Sequence, residues 1–205
     1  MPKTDQEEFL REMGFEVVCG VDEVGRGAWA GPLIAAAVIM PQNVKAQIKN
    51  DKWEKEIRDS KMLSAKERER LNLLIRKHCR CGIGEVSVKE LEKHKMTRGT
   101  QLAFRRAIED LGIKVDFVLS DCFKFDSPIP SRGIIKGDVK CMSIAAASIV
   151  AKVYRDKLME NTDRQYPGYC FKIHKGYGTK LHQNALKRLG KCAEHRSFFE
   201  INKIT

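Results

Sequence analysis

Cys19-Gly20-Val21-Asp22-Glu23-Val24-Gly25-Arg26-Gly27-Ala28-Trp29-Ala30-Gly31-Pro32-Leu33-Ile34-Ala35-Ala36-Ala37-Val38-Ile39-Met40 is the stretch on which the fold turns. Residues 15–21 read as a buried strand. Residues 33–40 read as a second, apolar throughout and stopped by Pro41. Two such runs joined by a Gly-rich connection suggest an antiparallel start to a sheet. The acidic pair Asp22-Glu23 stands where the first run ends. Neighbouring residues on a regular strand face opposite ways, so both acids reach one site only if the chain twists or bulges there. Gly25 and Gly27 give the backbone room for that departure.

Outward from this pair the pattern alternates. Upstream, residues 6–13 read as a short helix with Phe9, Leu10 and Met13 on one face. Downstream, Ser64-Ala65-Lys66-Glu67 is a capping box, in which the serine hydroxyl accepts from the glutamate amide and the glutamate reaches back. Leu71, Leu74, Ile75 and the stem of Lys77 follow at helical spacing. Residues 81–86 suit a third strand, and Ser87-Val88-Lys89-Glu90 is a second capping box. Residues 100–111 read as a helix packing Leu102, Phe104, Ile108 and Leu111, with Gly112 placed to end it. Short strands are expected at 115–119, leading into Ser120-Asp121, and at 133–136, leading into Gly137-Asp138. A long Ala-rich helix over 141–161 and a last helix over 177–189 follow. Strands that come first as neighbours and then alternate with helices imply an α/β fold, a mixed sheet with helices on its faces. One domain is expected over 1–205, with a core at about 15–150 and a basic, helical C-terminal extension at about 151–205.

Charge points to the class of partner. Lys plus Arg number 38 against 27 Asp plus Glu, a formal +11. From Lys152 onward there are 12 basic and 5 acidic residues, so +7 of the total sits in the last quarter. Such a surplus favours a polyanion through phosphate contacts and counterion release. The run at 33–40 is about half the ~20 residues needed to span a bilayer, and the polar N-terminus lacks the apolar stretch of a signal peptide. A cytoplasmic protein with no membrane role is expected. Seven scattered cysteines read as reduced thiols, and Cys79 and Cys81 have no second pair at zinc-site spacing.

Four carboxylates share one context: Asp22 and Glu23 after the first strand, Asp121 after a later one, and Asp138 after a short apolar run. Sites in α/β sheets gather where strands end. Oxygen ligands without His or Cys partners select Mg²⁺ or Mn²⁺. A pair of such ions suits phosphodiester hydrolysis, one activating the attacking water and one steadying the leaving oxygen. Taken singly, each of these acids also suits a cap or a surface charge.

Residues 19–40 closely resemble the signature of bacterial ribonuclease HII. The resemblance continues in Asp59-Ser60-Lys61, Lys136-Gly137-Asp138, Ser143-Ile144-Ala145-Ala146-Ala147-Ser148-Ile149-Val150-Ala151-Lys152 and Tyr166-Pro167-Gly168-Tyr169. It closes with His174-Lys175-Gly176-Tyr177-Gly178-Thr179 and His195-Arg196-Ser197-Phe198. These blocks stand in the family's order over about residues 15–200.

The resemblance implies a ribonuclease H-like fold and an endonuclease acting on RNA–DNA hybrids and on DNA duplexes with embedded ribonucleotides. It would nick 5′ of a single ribonucleotide, leave 5′-phosphate and 3′-hydroxyl ends, serve ribonucleotide removal and RNA primer processing, and act as a monomer. Asp22, Glu23, Asp121 and Asp138 match the family's catalytic metal ligands for Mg²⁺ or Mn²⁺. Gly25, Arg26 and Gly27 match the loop that senses the ribose 2′-hydroxyl, and Tyr177 the ring packed on the sugar at the junction. Lys61, Ser143, Ser148 and Lys152 match phosphate contacts, the serines near a helix start whose amides favour anions. Read without the family, the glycines serve a tight turn, Tyr177 fills a core and Lys61 is a surface charge. The sister family ribonuclease HIII usually has lysine in its glycine loop, so Arg26 favours HII; a basic binder without catalysis is the alternative from another class. Ala28, Met62, Cys122 and Tyr154 depart from frequent family residues, and none of them removes a ligand.

Overall fold

A computed structural model describes residues 2–41, 53–122 and 124–199; residues 201–205, whose role the sequence leaves open, lie outside them. Helix α1 (Asp5–Glu12) precedes strand β1 (Val18–Val24), which pairs antiparallel with β2 (Leu33–Ile39), itself antiparallel to β3 (Arg80–Val86). Strands β4 (Phe117–Asp121) and β5 (Ser131–Ile134) continue parallel to β1, giving the order β3-β2-β1-β4-β5. Two short 3-10 turns, Trp53–Glu56 and Ser60–Met62, lead into α2 (Ala65–His78). Helix α3 (Val88–Asp110) follows β3. After β5 come α4 (Gly137–Lys140), α5 (Met142–Gln165), α6 (Phe171–His174) and α7 (Lys180–Leu189). The expected mixed sheet with an antiparallel start is therefore present.

Strand β2 explains its own composition. Ile34, Ala36 and Val38 pack with α5 and α2, while Leu33, Ala35 and Ala37 pack with α3 on the opposite face. A strand covered on both sides has no polar face to alternate with. Ala145, Ala146, Ala147 and Ala151 of α5 are fully buried, and their small side chains let the helix lie close on the sheet. Both capping boxes form: Ser64 accepts from Glu67 N and Ser87 from Glu90 N.

Several boundaries differ from those expected. Strand β1 begins at Val18, because Phe15 packs edge-on against Phe117 ahead of the ladder, with ring centroids 4.9 Å apart. In α1 Leu10 faces inward, but Phe9 and Met13 are 47% and 60% exposed and the buried partner is Glu7. The reason lies across the fold. Cys141 caps α5 without a side-chain hydrogen bond, and Glu7 Oε1 accepts instead from the Ser143 amide (2.8 Å) and the Cys141 thiol (3.1 Å). A carboxylate oxygen satisfies one of the orphan amides and suits the positive end of a 24-residue helix.

The second capping box and the helix expected at 100–111 belong to one element, α3, interrupted at Lys95 (φ 60, ψ 170). Lys77 is exposed rather than packed. Helix α5 runs through residue 150, so the division expected there cuts a continuous helix that both parts share. The last helix starts at Lys180, where Thr179 accepts from His182 N, and the short α6 was not foreseen. Strand β5 ends at Ile134, so Asp138 stands in the first turn of α4 and not directly after a strand. No helix among the described residues is long and apolar enough to cross a membrane.

Candidate active site

Of the twist or bulge expected at Asp22-Glu23, no bulge interrupts the pairing with β2. The ladder to β2 continues in register through Asp22↔Ala36, Glu23↔Ala35 and Val24↔Ile34. The departure lies on the other side, where pairing with β4 stops at Val21↔Ser120 and β1 runs on alone. That divergence, between the antiparallel and parallel halves of the sheet, opens a cleft of about 420 Å³ lined by Asp22, Glu23, Val24, Ser60, Lys61, Asp121, Ser148, Lys152 and Tyr177. Asp22 and Glu23, neighbours on one strand, both line this cleft.

The four acids form a chain of electrostatic neighbours. Asp22 is held above the ordinary carboxylate range by burial first, then by Glu23 and Asp121. Burial also raises Glu23, against the pull of Arg26, while burial and then Asp121 raise Asp138. Gly137 N donates to Asp121 Oδ1 at 2.7 Å, which fixes the start of α4 and brings Asp138 beside Asp121. Like charges turn toward local donors: Asp22 Oδ1 accepts from Glu23 N at 2.8 Å, and Glu23 Oε1 faces Arg26 Nη1 at 3.4 Å. As placed, no three His, Cys, Asp or Glu side chains among the described residues surround one point closely enough to hold an ion. Glu23 Oε2 is nevertheless buried without a hydrogen-bond partner. An all-carboxylate donor set in which Asp22, Glu23 and Asp138 are raised, with an orphan oxygen on Glu23, fits a hard divalent cation, which would relieve both costs.

The turn after β1 is gripped from beneath. Gly25 has φ +97, and a Cβ there would land on Arg155 Nε. Gly27 has no atom within 4 Å of a would-be Cβ and lies open. Arg155, fully buried, donates to the carbonyls of Pro32 (2.9 Å), Ala30 (3.0 Å) and Lys175 (2.8 Å). Arg196, equally buried, donates to Gly31 O through Nε (2.9 Å) and Nη2 (2.7 Å), and to Gly25 O (2.6 Å). Neither makes an ion pair among the described residues, and burial works against both charges. The carbonyls of Gly25, Ala30, Gly31 and Pro32 are thus satisfied by the two guanidinium groups.

Tyr177 stands against this loop, bridged to Ala28, with Arg155 5.5 Å and Lys152 6.0 Å from its ring centroid. Lys152 lines the cleft but is paired to Asp156 at 2.7 Å. Lys61 is exposed at the rim, on the side of Asp138. Ser148 is buried in the wall, 2.8 Å from Ser60 Oγ and hydrogen-bonded to Asp22. Ser143 is the exception. It is fully buried, its amide is taken by Glu7, and Gly20 of β1 lies directly over it, so the start of α5 offers nothing to a phosphate there.

Arg155 and Arg196 escaped the reading of the residues, although Arg196 lies in a matching block. Neither periodicity nor spacing marks a cation that reaches across more than a hundred positions to backbone carbonyls.

The sequence model of the family described as Ribonuclease HII matches residues 19–202. A ribonuclease HII of Dehalococcoides mccartyi is 43% identical over 200 residues, 97% of this chain and 92% of the relative. That of Thermotoga maritima is 42% identical over 191 residues, covering 93% and 76%. Among solved structures, the Archaeoglobus fulgidus complex of PCNA and RNase HII aligns with a TM-score of 0.70 at 25% identity, covering 88% of this chain and 92% of that one. A Bst-RNase HIII in complex with Mn²⁺ aligns with a TM-score of 0.67 at 18% identity, covering 92% and 68%. The fold is ribonuclease H-like.

Proposed function

Because the chain belongs to the ribonuclease HII family and is a ribonuclease H-type endonuclease, we propose that the cleft at the end of β1 is its active site and that Asp22, Glu23, Asp121 and Asp138 hold its divalent metal. The family is divalent-metal dependent, and Mg²⁺ or Mn²⁺ is the choice that an oxygen-only donor set favours. Bound there, such ions supply charge stabilisation to a phosphodiester undergoing attack by water. The observation that carries the assignment is the convergence of three acids from β1 and β4 on one cleft, with Asp138 tied to it through Gly137.

The chain's own residues provide selection and grip. Gly27 leaves the loop open to close backbone approach, Gly25 and Arg26 complete that loop, and Tyr177 offers a ring beside it. This arrangement suits a sugar bearing a 2′-hydroxyl, the group that separates RNA from DNA. Substrates would be RNA–DNA hybrids and DNA duplexes with single ribonucleotides, nicked on the 5′ side of the ribonucleotide. Lys61 and Lys152 would meet phosphates at the rim. Ser148, buried beside Asp22, would hold that carboxylate rather than substrate.

Residues beyond about 151 would add electrostatic grip through their net +7, and the whole chain would act as one ribonuclease domain. Cleavage of an end-labelled duplex with one ribonucleotide, with and without Mg²⁺, tests the reading. A metal-dependent nick on the 5′ side is expected. A parent protein that binds the duplex but never cuts it would point to the non-catalytic alternative.

A further inference from the structure

His174, His182 and His195 are buried beneath Tyr177 and form one contiguous set. His174 stacks on His182 with ring centroids 4.3 Å apart, and His182 Nε2 lies 3.0 Å from His195 Nε2. Their protons can be placed, because a carbonyl only accepts and a backbone amide only donates. His182 Nδ1 is 3.1 Å from Tyr177 O, so it carries the proton and leaves Nε2 as acceptor. His195 Nε2 must then donate, and His195 Nδ1 accepts from the Cys192 amide at 2.9 Å, a contact that outranks the 3.3 Å approach of the Cys192 carbonyl. His174 Nε2 donates to Tyr169 O at 2.8 Å while its Nδ1 accepts from Gly176 N at 3.2 Å. Each ring is therefore neutral with a single allowed tautomer. A second proton on any of them would set two N–H groups against each other.

We infer that His182, aligned by His195 and stacked on His174, is a positioning residue for the ribonuclease reaction: its Nδ1–H holds the backbone carbonyl of Tyr177. The inference rests on the reading of Tyr177 as a contact to the sugar at the cleavage junction. Asp163 of α5 is the acid that attracts a proton to His174, and Lys191 repels one from His195. Among the described residues, Cys192 and Tyr169 also lie against the rings, Glu194 lies beside Cys192, and Arg155 and Arg196 lie close to Tyr177. Burial, the largest influence, pushes His182 and His195 down to about 4 and lowers His174.

Two measurements test this on the full chain. Nitrogen-15 NMR of the wild-type protein should show His182 protonated at Nδ1, His174 and His195 at Nε2, all three neutral at about pH 7, and His182 and His195 still neutral near about pH 5. A charged ring at neutral pH, or His182 protonated at Nε2, would overturn the inference. The second compares His182→Ala with His182→Asn, whose amide can still donate to Tyr177 O. His182→Ala should lose ~10-fold in kcat/KM on a single-ribonucleotide duplex, whereas His182→Asn should stay within ~3-fold of the parent, although both lose stability. If Tyr177→Ala impairs cleavage while the two His182 variants lose equally, the histidine role alone falls. If Tyr177→Ala has no effect, the reading of Tyr177 falls and takes this inference with it.

Discussion

The guanidinium of Arg196 donates from Nη1 to the carbonyl oxygen of Gly25 at 2.6 Å, tying the turn after β1 to a residue 171 positions further along the chain. The same side chain holds Gly31 O through two further N–H groups. A lysine keeps the charge but cannot reproduce the planar fork. Arg196→Lys should therefore cost ~2–4 kcal/mol in urea denaturation, because buried carbonyls lose charged donors. It should also narrow the preference for ribonucleotide over plain DNA duplex. A stability change below ~0.5 kcal/mol would show that the loop does not depend on this clamp.

Gly25 and Gly27 should separate folding from substrate approach. Gly25 holds φ +97 against Arg155, so Gly25→Ala should destabilise the protein by more than ~1 kcal/mol. Gly27 has neither constraint, so Gly27→Ala should melt close to the parent yet cut poorly if a sugar must approach its backbone. Thermal melts beside cleavage assays of both variants decide the matter. Full activity in a stable Gly27→Ala would remove the loop from substrate recognition.

Asp22→Asn should abolish cleavage and raise the stability of the metal-free protein. The folded pKa of Asp22 is raised by burial and by neighbouring acids, so the folded state binds more protons than the unfolded one. This group's contribution then improves as pH falls from neutral toward its ordinary value of 3.8 and worsens as pH rises. The gap in stability between variant and parent should accordingly widen with rising pH. Saturating Mg²⁺ or Mn²⁺ should raise the melting temperature of the parent and leave the variant nearly unchanged. Equal metal responses in both would exclude Asp22 as a ligand.

Tyr177→Ala should harm the single-ribonucleotide substrate more than a continuous RNA–DNA hybrid. The ring sits beside the loop and near the cations of Arg155 and Lys152, where it can pack on one sugar at a junction. Relative kcat/KM values on the two substrates test this, and a ~10-fold difference is the expected scale. Matching losses on both would reduce Tyr177 to general packing.

Much of the fold was legible because its determinants are local. The two capping boxes formed at Ser64 and Ser87, the all-apolar run at 33–40 became a strand covered on both faces, and Asp121 stood at a strand end. What misled was also local in origin. Phe9 and Met13 satisfy a helical stripe, yet Glu7 is the residue drawn inward, by an amide that lies 136 positions away. Ser143 looked available at a helix start for the same reason, since nothing nearby in the chain shows that Glu7 already occupies it.

Sequence alone was enough to indicate a mixed α/β sheet with an antiparallel start and the blocks that carry the family resemblance, since each is written in neighbouring residues or in their spacing. Tertiary structure decided how Asp22 and Glu23 share one cleft, through a strand that outlasts its partner, and which cations hold the glycine turn. It also brought His174, His182 and His195 into one contiguous set. Such features arise when distant groups lose water together and must satisfy one another, and pairings across that distance leave no period in the chain.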